Sequence, residues 1–252
     1  MGQPPLLEFR RAGPDDIPAC IAVAARALGW DPGEPHAAFF RWKHLDNPAG
    51  PSPLWVAVAG DRVVGFRAML RWRFVGPGSD GGEPTAPGRP AREQAAPATG
   101  VVTAVRAVDT ATDPDHRRRG IFRSLTLTAV EELTAEGAAF VFNTPNASSR
   151  AGYLTMGWVD AGRLGARIRV AGPAALVRLT RARAPARKWS EPLAIGDPIE
   201  PVAADLVGRI GPVDGLRTRR DTAHLVWRYG FGPLAYRVVS DDGAAAVVRL
   251  RR

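Results

Sequence analysis

The feature that most constrains the fold lies between residues 101 and 136, where a strand pattern changes abruptly into a helix pattern. VVTAVRAVDTAT reads as a strand, DPDHRRRG follows it, and IFRSLTLTAVEEL has helical, apolar periodicity. Gly120 has no Cβ to obstruct a ligand, and a helix from about Arg118 to Glu136 directs unpaired N–H groups towards the loop. Such a helix start is suited to a phosphate or diphosphate. A solvated basic turn and a basic patch for nucleic acid are the alternatives.

The composition is that of a globular protein. The chain has 252 residues, of which 45% are hydrophobic and 23% are charged, enough for one large domain or two small ones. No apolar run approaches the roughly 18 residues of a membrane span, and the start MGQPPLLEFR lacks the layout of a signal peptide. Cys20 is the single cysteine, so no internal disulfide is available. We therefore expect a cytoplasmic protein.

The positive charge is almost entirely arginine, because Lys43 and Lys188 are the only lysines in a chain of net charge +9. This composition reduces the weight of the charge as evidence for nucleic acid, and no motif of a nucleic-acid reader accompanies it. Residues 161–190 contain no acidic side chain, and GPAALVRLTRARAPARK within them is compatible with a basic amphipathic helix. A solvated face is the simplest interpretation, and contact with an anionic membrane surface or a polyanion is the alternative.

The order of elements predicts an α+β fold. A strand at LLEFRRA is followed by two helices, then by two strands joined through the Gly60-Asp61 turn and by the strand that begins at Val101. After the central helix come the short strand AAFVFN, the short helix in NASSRAGYLTMGW and a strand at GRLGARIRV. The pattern predicts a mixed, mostly antiparallel sheet flanked by helices.

The sequence also predicts how the chain divides. We assign 1–172 to one domain, 173–200 to a linker region and 201–252 to a partial second module. Residues 76–100 contain almost no large apolar side chain, which predicts a flexible insertion. The second module is suggested by a faint internal repeat, in which Trp42 matches Trp227, Lys43 matches Arg228 and Trp55 matches Tyr236. Duplication and coincidence are both open explanations of this repeat.

Two motifs resemble the GNAT (Gcn5-related N-acetyltransferase) superfamily. Its signature is Gln/Arg-x-x-Gly-x-Gly/Ala at a strand–loop–helix junction, and the run from Arg117 to Phe122 matches it except that Phe122 replaces a small residue. In the family an Asn after the next strand is followed by a Tyr and by Gly-Phe. Here Asn146, Tyr153 and Gly157-Trp158 occupy those places. The resemblance covers roughly residues 101–160 and implies a GNAT acyl-CoA N-acyltransferase fold.

The resemblance implies a cleft where two parallel strands splay apart and acetyl-CoA lies as co-substrate. Its pantetheine arm would pair with the backbone around Thr110, Ala111 and Thr112, and Asn146 would approach the same arm. Tyr153 would protonate the departing thiolate. The diphosphate would take N–H bonds from the loop and helix start, which are Arg117, Arg118, Arg119, Gly120, Ile121, Phe122 and Arg123.

The residue types agree with this chemistry. Tyr is an acceptable general acid because its pKa near ~10 keeps it protonated at neutral pH, although Tyr153 also fits a core aromatic and Asn146 a helix N-cap. The candidate bases are Asp109, on the strand beside the cleft, and His116, in the loop, with a water chain as the alternative. The four histidines show no metal-ligand spacing, so we predict no metal.

The predicted function is N-acetyltransfer from acetyl-CoA to a primary amine by direct attack in a ternary complex. The acceptor is a small molecule, a sugar amine or a protein amine. Three alternatives stay open: an acyl or aminoacyl transferase of the same fold, a non-catalytic CoA- or polyanion-binding module, and a basic nucleic-acid-binding protein.

Overall fold

A computed structural model describes residues 5–76, 100–163, 165, 169, 171–181, 187–211 and 215–251. Nearly all of the expected insertion at 76–100, and much of the strand expected at 162–170, lie outside the described residues. None of the described helices is both long and apolar enough to cross a bilayer. The helices are α1 (Ile17–Leu28), α2 (His36–Leu45), α3 (Ile121–Ala135), α4 (Ala147–Leu154), α5 (Pro173–Arg181), α6 (Ile199–Gly208) and α7 (Thr222–Tyr229).

The main sheet is mixed and mostly antiparallel, as the sequence predicts. Its strands lie in the order β1-β2-β3-β4-β5, every neighbouring pair is antiparallel except β4 with β5, and β6 pairs with the far end of β3. β7 and β8 form a separate antiparallel pair. The strands are β1 (Leu7–Arg11), β2 (Leu54–Ala59), β3 (Arg62–Val75), β4 (Val101–Thr112), β5 (Val141–Phe142), β6 (Arg217–Thr218), β7 (Arg237–Ser240) and β8 (Ala245–Val248).

Helices cover both faces of this sheet. Along β2, Val56 packs with α1 and α2 on one face, and the neighbouring residues Trp55 and Ala57 pack with α3 on the other. All of β2 is buried, because alternate side chains enter two different cores. Gly65 allows α3 to lie close to the sheet, since a Cβ there would stand 2.7 Å from Cγ2 of Ile121. The start of α3 is therefore held against β3.

α3 begins at Ile121 rather than near Arg118, so the start expected from the sequence is wrong by three residues. Arg118 has φ 62° and Gly120 has φ 76°, a left-handed conformation that cannot continue a right-handed helix. The arginines consequently belong to a loop that turns before the helix begins.

The C-terminal part of the chain contacts the main sheet and α2. β6 joins β3 at Phe74 and Val75, and the Trp227 indole N–H donates to the carbonyl of Trp42 at 3.1 Å. A smaller core lies between α6, α7 and β7. The division into a first domain, a linker and a partial second module stays a prediction.

His224 on α7 gives the fold a pH dependence with a definite sign. Burial, beside the rings of Trp72 and Trp227, lowers the pKa of His224 to about 4, whereas an unfolded histidine titrates near ~6.5. As the pH falls through this window the unfolded chain binds the proton first, so the free energy of unfolding decreases. We expect a loss on the order of 1–2 kcal/mol between pH ~7 and ~4.5, after discounting for partial exposure.

Urea unfolding of wild type and His224→Phe at the two pH values measures this loss. Phenylalanine keeps a ring against the two tryptophans but cannot titrate, so the variant should lose less stability on acidification. Burial also lowers the pKa of His44, so part of the dependence will persist. An identical loss in both proteins would contradict the assignment.

Candidate active site

β4 and β5 separate beside the start of α3. They pair in parallel at Val105 with Val141 and at Arg106 with Phe142, where β5 ends. β4 continues to Thr112 and within the described residues pairs there with β3 alone. The edge of β4 beyond Arg106 is therefore open on the β5 side. Its free backbone groups can bind an extended ligand.

The loop before α3 presents backbone N–H groups that can bind an anion. Gly120 is the N-cap residue and supplies no side-chain cap, so the N–H groups of the first turn have no intrahelical partner. Among the described residues no carboxylate pairs with the loop arginines. Instead, Arg117 donates to the backbone carbonyl of Ala27, and Arg119 donates to that of Pro5. Unneutralised charge and free N–H groups make this loop suited to a phosphorylated ligand.

Tyr153 lies between the start of α3 and a cavity. Its ring packs at 5.4 Å from that of Phe122 and at 5.2 Å from that of Trp158, and its side chain is buried. The residue also lines the cavity. Its hydroxyl oxygen accepts a hydrogen bond of 2.6 Å from Nη2 of Arg67, which leaves the O–H free to donate elsewhere.

Arg67 on β3 is fully buried and incompletely hydrogen-bonded. Its Nε and Nη1 have no partner in the part of the chain that the structure describes. Burial lowers the pKa of the guanidinium, which lies 5.7 Å from the ring of Phe122 and 5.4 Å from that of Tyr153. A buried arginine with unused donors beside an open strand edge is equipped to bind an oxygen of a ligand.

A cavity of about 420 Å³ opens on the other side of Tyr153. β4, the segment after β5, α2, α4 and α7 all contribute to its lining. The aromatic residues of the wall are Phe39, Trp42, Trp72, Tyr153 and Trp227, and the charged ones are Lys43, Arg106, Asp109 and Arg228. A volume of this size suits a small molecule or a single side chain.

Asp109 reaches the cavity through a bulge in β4. Arg67 pairs with Thr110 and Met69 with Ala107, so two residues of β4 stand opposite one of β3. Oδ2 of Asp109 accepts hydrogen bonds from Nζ of Lys43 at 2.7 Å and from Nε2 of His44 at 2.9 Å. Burial alone would raise the pKa of Asp109, but the charge of Lys43 and the hydrogen bonds outweigh it and lower the pKa.

The paired Asp109 is consequently a weak proton acceptor. His44 is fully buried, burial lowers its pKa, and its Nδ1 lies 3.0 Å from Oγ of Ser52. Both nitrogens of this neutral ring are engaged. His116, the other candidate base, lies in the loop and is absent from the cavity wall. Neither ring is therefore placed to take a proton from a molecule in the cavity.

Two asparagines lie near the end of β5. Asn146 caps α4, because its side-chain oxygen accepts from the Ser149 N–H at 2.9 Å, and it also lines the cavity. Asn143 lines the cavity as well, and its side-chain nitrogen is buried without a partner among the described residues. Asn143 thus offers a donor that the fold itself does not use. Within the same residues, no group of three or more His, Cys, Asp and Glu side chains is placed to hold a metal ion.

Part of this chain matches a known protein family. Residues 97–160, which include β4, the loop, α3, β5 and α4, match the family model described as an acetyltransferase (GNAT) domain. This segment of the chain therefore resembles a GNAT domain. This confirms the resemblance found from the two motifs, and the mixed sheet flanked by helices is the GNAT acyl-CoA N-acyltransferase fold. No curated protein sequence is significantly similar to the chain.

Solved structures with low sequence identity also resemble the GNAT domain. An acetyltransferase of Trypanosoma brucei is 17% identical over 65% of this chain and 100% of its own, with a TM-score of 0.42. An aminoglycoside N-acetyltransferase in complex with CoA is 12% identical over 67% and 98%, with a TM-score of 0.44. A protein of Clostridium acetobutylicum described as a predicted acetyltransferase with acetyl-CoA is 18% identical over 64% and 96%, also at 0.44. These values are too low to transfer an acceptor to this protein.

Several residues of the candidate site were not predicted from the sequence. Arg67, Arg106 and Asn143 carry no motif, and only their burial beside Tyr153 or in the cavity wall distinguishes them. Lys43 and His44 lie in FFRWKHLDNP, whose alternation of aromatic and basic residues was the available signal.

The internal repeat identifies residues that meet in the GNAT cavity. The matched residues Trp42 and Trp227 stack with ring centres 5.4 Å apart, and the matched Lys43 and Arg228 both line the wall. α2 and α7 therefore present equivalent side chains to one site.

Proposed function

We propose that this protein transfers an acetyl group from acetyl-CoA to a primary amine by direct attack in a ternary complex. The observation that carries the proposal is the position of Tyr153, between the anion-binding start of α3 and the cavity. A thioester bound along the open edge of β4 and an amine in the cavity would meet beside its hydroxyl. The buried single thiol, Cys20, suits a reducing cytoplasm.

Acetyl-CoA would occupy the open side of β4. Its pantetheine arm would pair with backbone around Thr110, Ala111 and Thr112, and Asn146 would approach that arm. The diphosphate would accept hydrogen bonds from the N–H groups between Arg117 and Arg123. Left-handed φ angles at Arg118 and Gly120 support this placement, because they turn successive N–H groups to one side.

The chemistry requires one bond to form and one to break. The amine nitrogen attacks the thioester carbonyl carbon, the C–S bond breaks, and Tyr153 donates its proton to the departing sulfur. The unused donors of Arg67 and Asn143 are candidates to stabilise the negative oxygen that develops in between. Holding both reactants together removes most of the entropic barrier, so few catalytic side chains are needed.

We assign Asp109 to binding the acceptor amine. Its Oδ2 is occupied by Lys43 and His44, whereas Oδ1 can accept from an incoming ammonium group. The lowered pKa keeps the carboxylate charged and makes it a poor base. The ammonium would lose one proton to water before it attacks, and the second proton, released as the amide forms, would return through water to Tyr153.

One observation favours a non-catalytic module that binds CoA. Asp109 is the single carboxylate that the described cavity presents, and it is already paired. Isothermal titration with acetyl-CoA, followed by detection of free CoA thiol over a panel of primary amines, separates the two functions. Binding with thiol release supports the transferase, binding without release supports the module, and absence of binding contradicts both.

A glycine substitution tests the diphosphate loop. Gly120→Ala and Gly137→Ala each place a Cβ on a left-handed glycine with no atom within 4 Å, at φ 76° and 85° respectively. Both variants should lose about 1 kcal/mol of unfolding free energy. Only Gly120→Ala, at the start of α3, should weaken acetyl-CoA binding, by about tenfold or more if one or two N–H contacts are lost.

Gly137 is the matched control, because it follows the opposite end of the same helix. Titration of both variants with acetyl-CoA measures the difference. Equal affinity in the two proteins would place the diphosphate elsewhere.

A further inference from the structure

The cavity beside Tyr153 carries more positive than negative charge. Lys43, Arg106 and Arg228 line it, against the single carboxylate of Asp109 among the described lining residues. Lys43 and Asp109 neutralise each other at 2.7 Å. The guanidinium groups of Arg106 and Arg228 therefore give the cavity wall a net positive charge.

Arg106 is held in place without a carboxylate. It lies on β4 at the last position that pairs with β5, and Nη2 donates to Oγ1 of Thr144 at 2.7 Å. Burial lowers the pKa of Arg106, and the like charge of Arg228 lowers it further. A neutral hydrogen-bond partner thus fixes the guanidinium, which has no paired carboxylate among the described residues and only the more distant charge of Asp109 to favour it. A guanidinium held in this way can bind a ligand anion.

Arg228 approaches the same cavity from α7. No carboxylate of the described chain lies within ion-pair distance of it, and its guanidinium lies 5.8 Å from the ring of Tyr229. Arg228 follows Trp227, whose indole N–H is bonded to α2, so its backbone position is fixed. Two cations facing one space repel each other, and a ligand anion between them would remove that repulsion.

The aromatic part of the cavity wall is suited to binding a ligand that contains a ring. Trp42 and Trp227 lie nearly parallel, with an interplanar angle of 25°, and Trp72 meets Trp227 edge to face at 70°. Flat aromatic surfaces bind sugar or aromatic rings and exclude water, which strengthens a nearby charge-assisted hydrogen bond. A polycationic amine would instead meet like charges.

We infer that the acceptor is a ring-bearing amine that also carries an anionic group, a carboxylate or a phosphate, bound between Arg106 and Arg228. This inference rests on the proposed function, of which it specifies the substrate class. Asp109 would hold the ammonium end, and the two arginines would hold the anionic end.

Calorimetry on protein saturated with CoA tests the inference, because CoA occupies the diphosphate loop and removes it as a competing anion site. The probes form two matched pairs: glucosamine with glucosamine 6-phosphate, and tyramine with tyrosine. The first pair reports on a phosphate and the second on a carboxylate. We expect at least one member with a phosphate or carboxylate to bind ~10- to 100-fold more tightly than the partner that lacks this group, as one or two charge-assisted hydrogen bonds allow.

Arg106→Gln and Arg228→Gln should each reduce this preference at least about threefold and should not weaken binding of the member that lacks the anionic group. Arg209→Gln removes the same charge from an exposed pair with Asp205 and should change neither. The inference is overturned if the wild-type protein binds glucosamine and tyramine as tightly as their phosphate- and carboxylate-bearing partners, or binds neither of those partners. An equal loss for both members of a pair in the glutamine variants also overturns it.

Thiol release from acetyl-CoA with the same four probes, in separate samples without added CoA, separates this inference from the proposed function. An anion preference without release supports the anionic pocket and contradicts the transferase. Release without an anion preference supports the transferase and contradicts the pocket.

Discussion

Replacing Tyr153 by phenylalanine is expected to lower kcat by about 100- to 1,000-fold, because the departing thiolate loses its proton donor. The ring contacts with Phe122 and Trp158 do not involve the hydroxyl, so the variant should stay folded, although it loses about 1–3 kcal/mol because the buried Arg67 loses its hydrogen-bond partner. Acetyl-CoA affinity should change less than about twofold, since the hydroxyl acts on the sulfur only as the bond breaks. Free CoA thiol, measured with any acceptor that the wild type uses, gives kcat, and calorimetry gives the affinity.

Tyr236→Phe is the matched control. Tyr236 packs against Tyr229 with ring centres 5.2 Å apart and does not line the cavity, so its loss should leave turnover unchanged. Wild-type turnover in Tyr153→Phe would assign sulfur protonation to another group.

Replacing Arg67 by methionine is expected to raise stability and lower turnover together. Methionine fills similar space without a charge, and removing a buried guanidinium with two unpartnered nitrogens should increase the free energy of unfolding by about 1–3 kcal/mol. The same change removes the hydrogen bond that orients the Tyr153 hydroxyl. Here kcat should fall by about tenfold or more, as loss of one charge-assisted hydrogen bond predicts.

Urea unfolding and steady-state kinetics measure the two effects on the same samples. Arg67→Lys keeps the charge and can still donate to Tyr153, so it should retain more turnover than the methionine variant and gain no stability. A methionine variant that unfolds more easily than wild type would show that the buried guanidinium stabilises the fold. Unchanged kcat in that variant would contradict a positioning role for Arg67.

Local sequence was sufficient for the elements around the loop. The strand through Thr112, the helix after Gly120 and the short helix that carries Tyr153 were predicted because each depends on side-chain periodicity and turn residues within a short segment. The start of α3 was placed too early, since a run of arginines gives no sign that Arg118 adopts a left-handed conformation. The roles of the individual loop residues stay predictions.

The contacts of the Asp109 carboxylate could not be predicted from its position in the sequence. Strand alternation left its direction open, and the bulge opposite Ala68 decides it by turning the carboxylate towards Lys43 and His44. A bulge depends on the register between β3 and β4 rather than on the residues of either strand alone. The candidate base thereby became a paired, charged carboxylate.

By itself the sequence determined the resemblance to a GNAT domain, the order of its elements, and the spacing between the glycine-containing loop and Tyr153, because all of these depend on local residue patterns. Only the tertiary structure decided what surrounds Tyr153. Arg67, Arg106 and Arg228 come from β3, β4 and α7, and their burial and missing partners exist only after the strands are in register and α7 has packed on α2. The charge of a cavity depends on side chains that are distant in sequence, so it is set only when the helices and strands that carry them pack together.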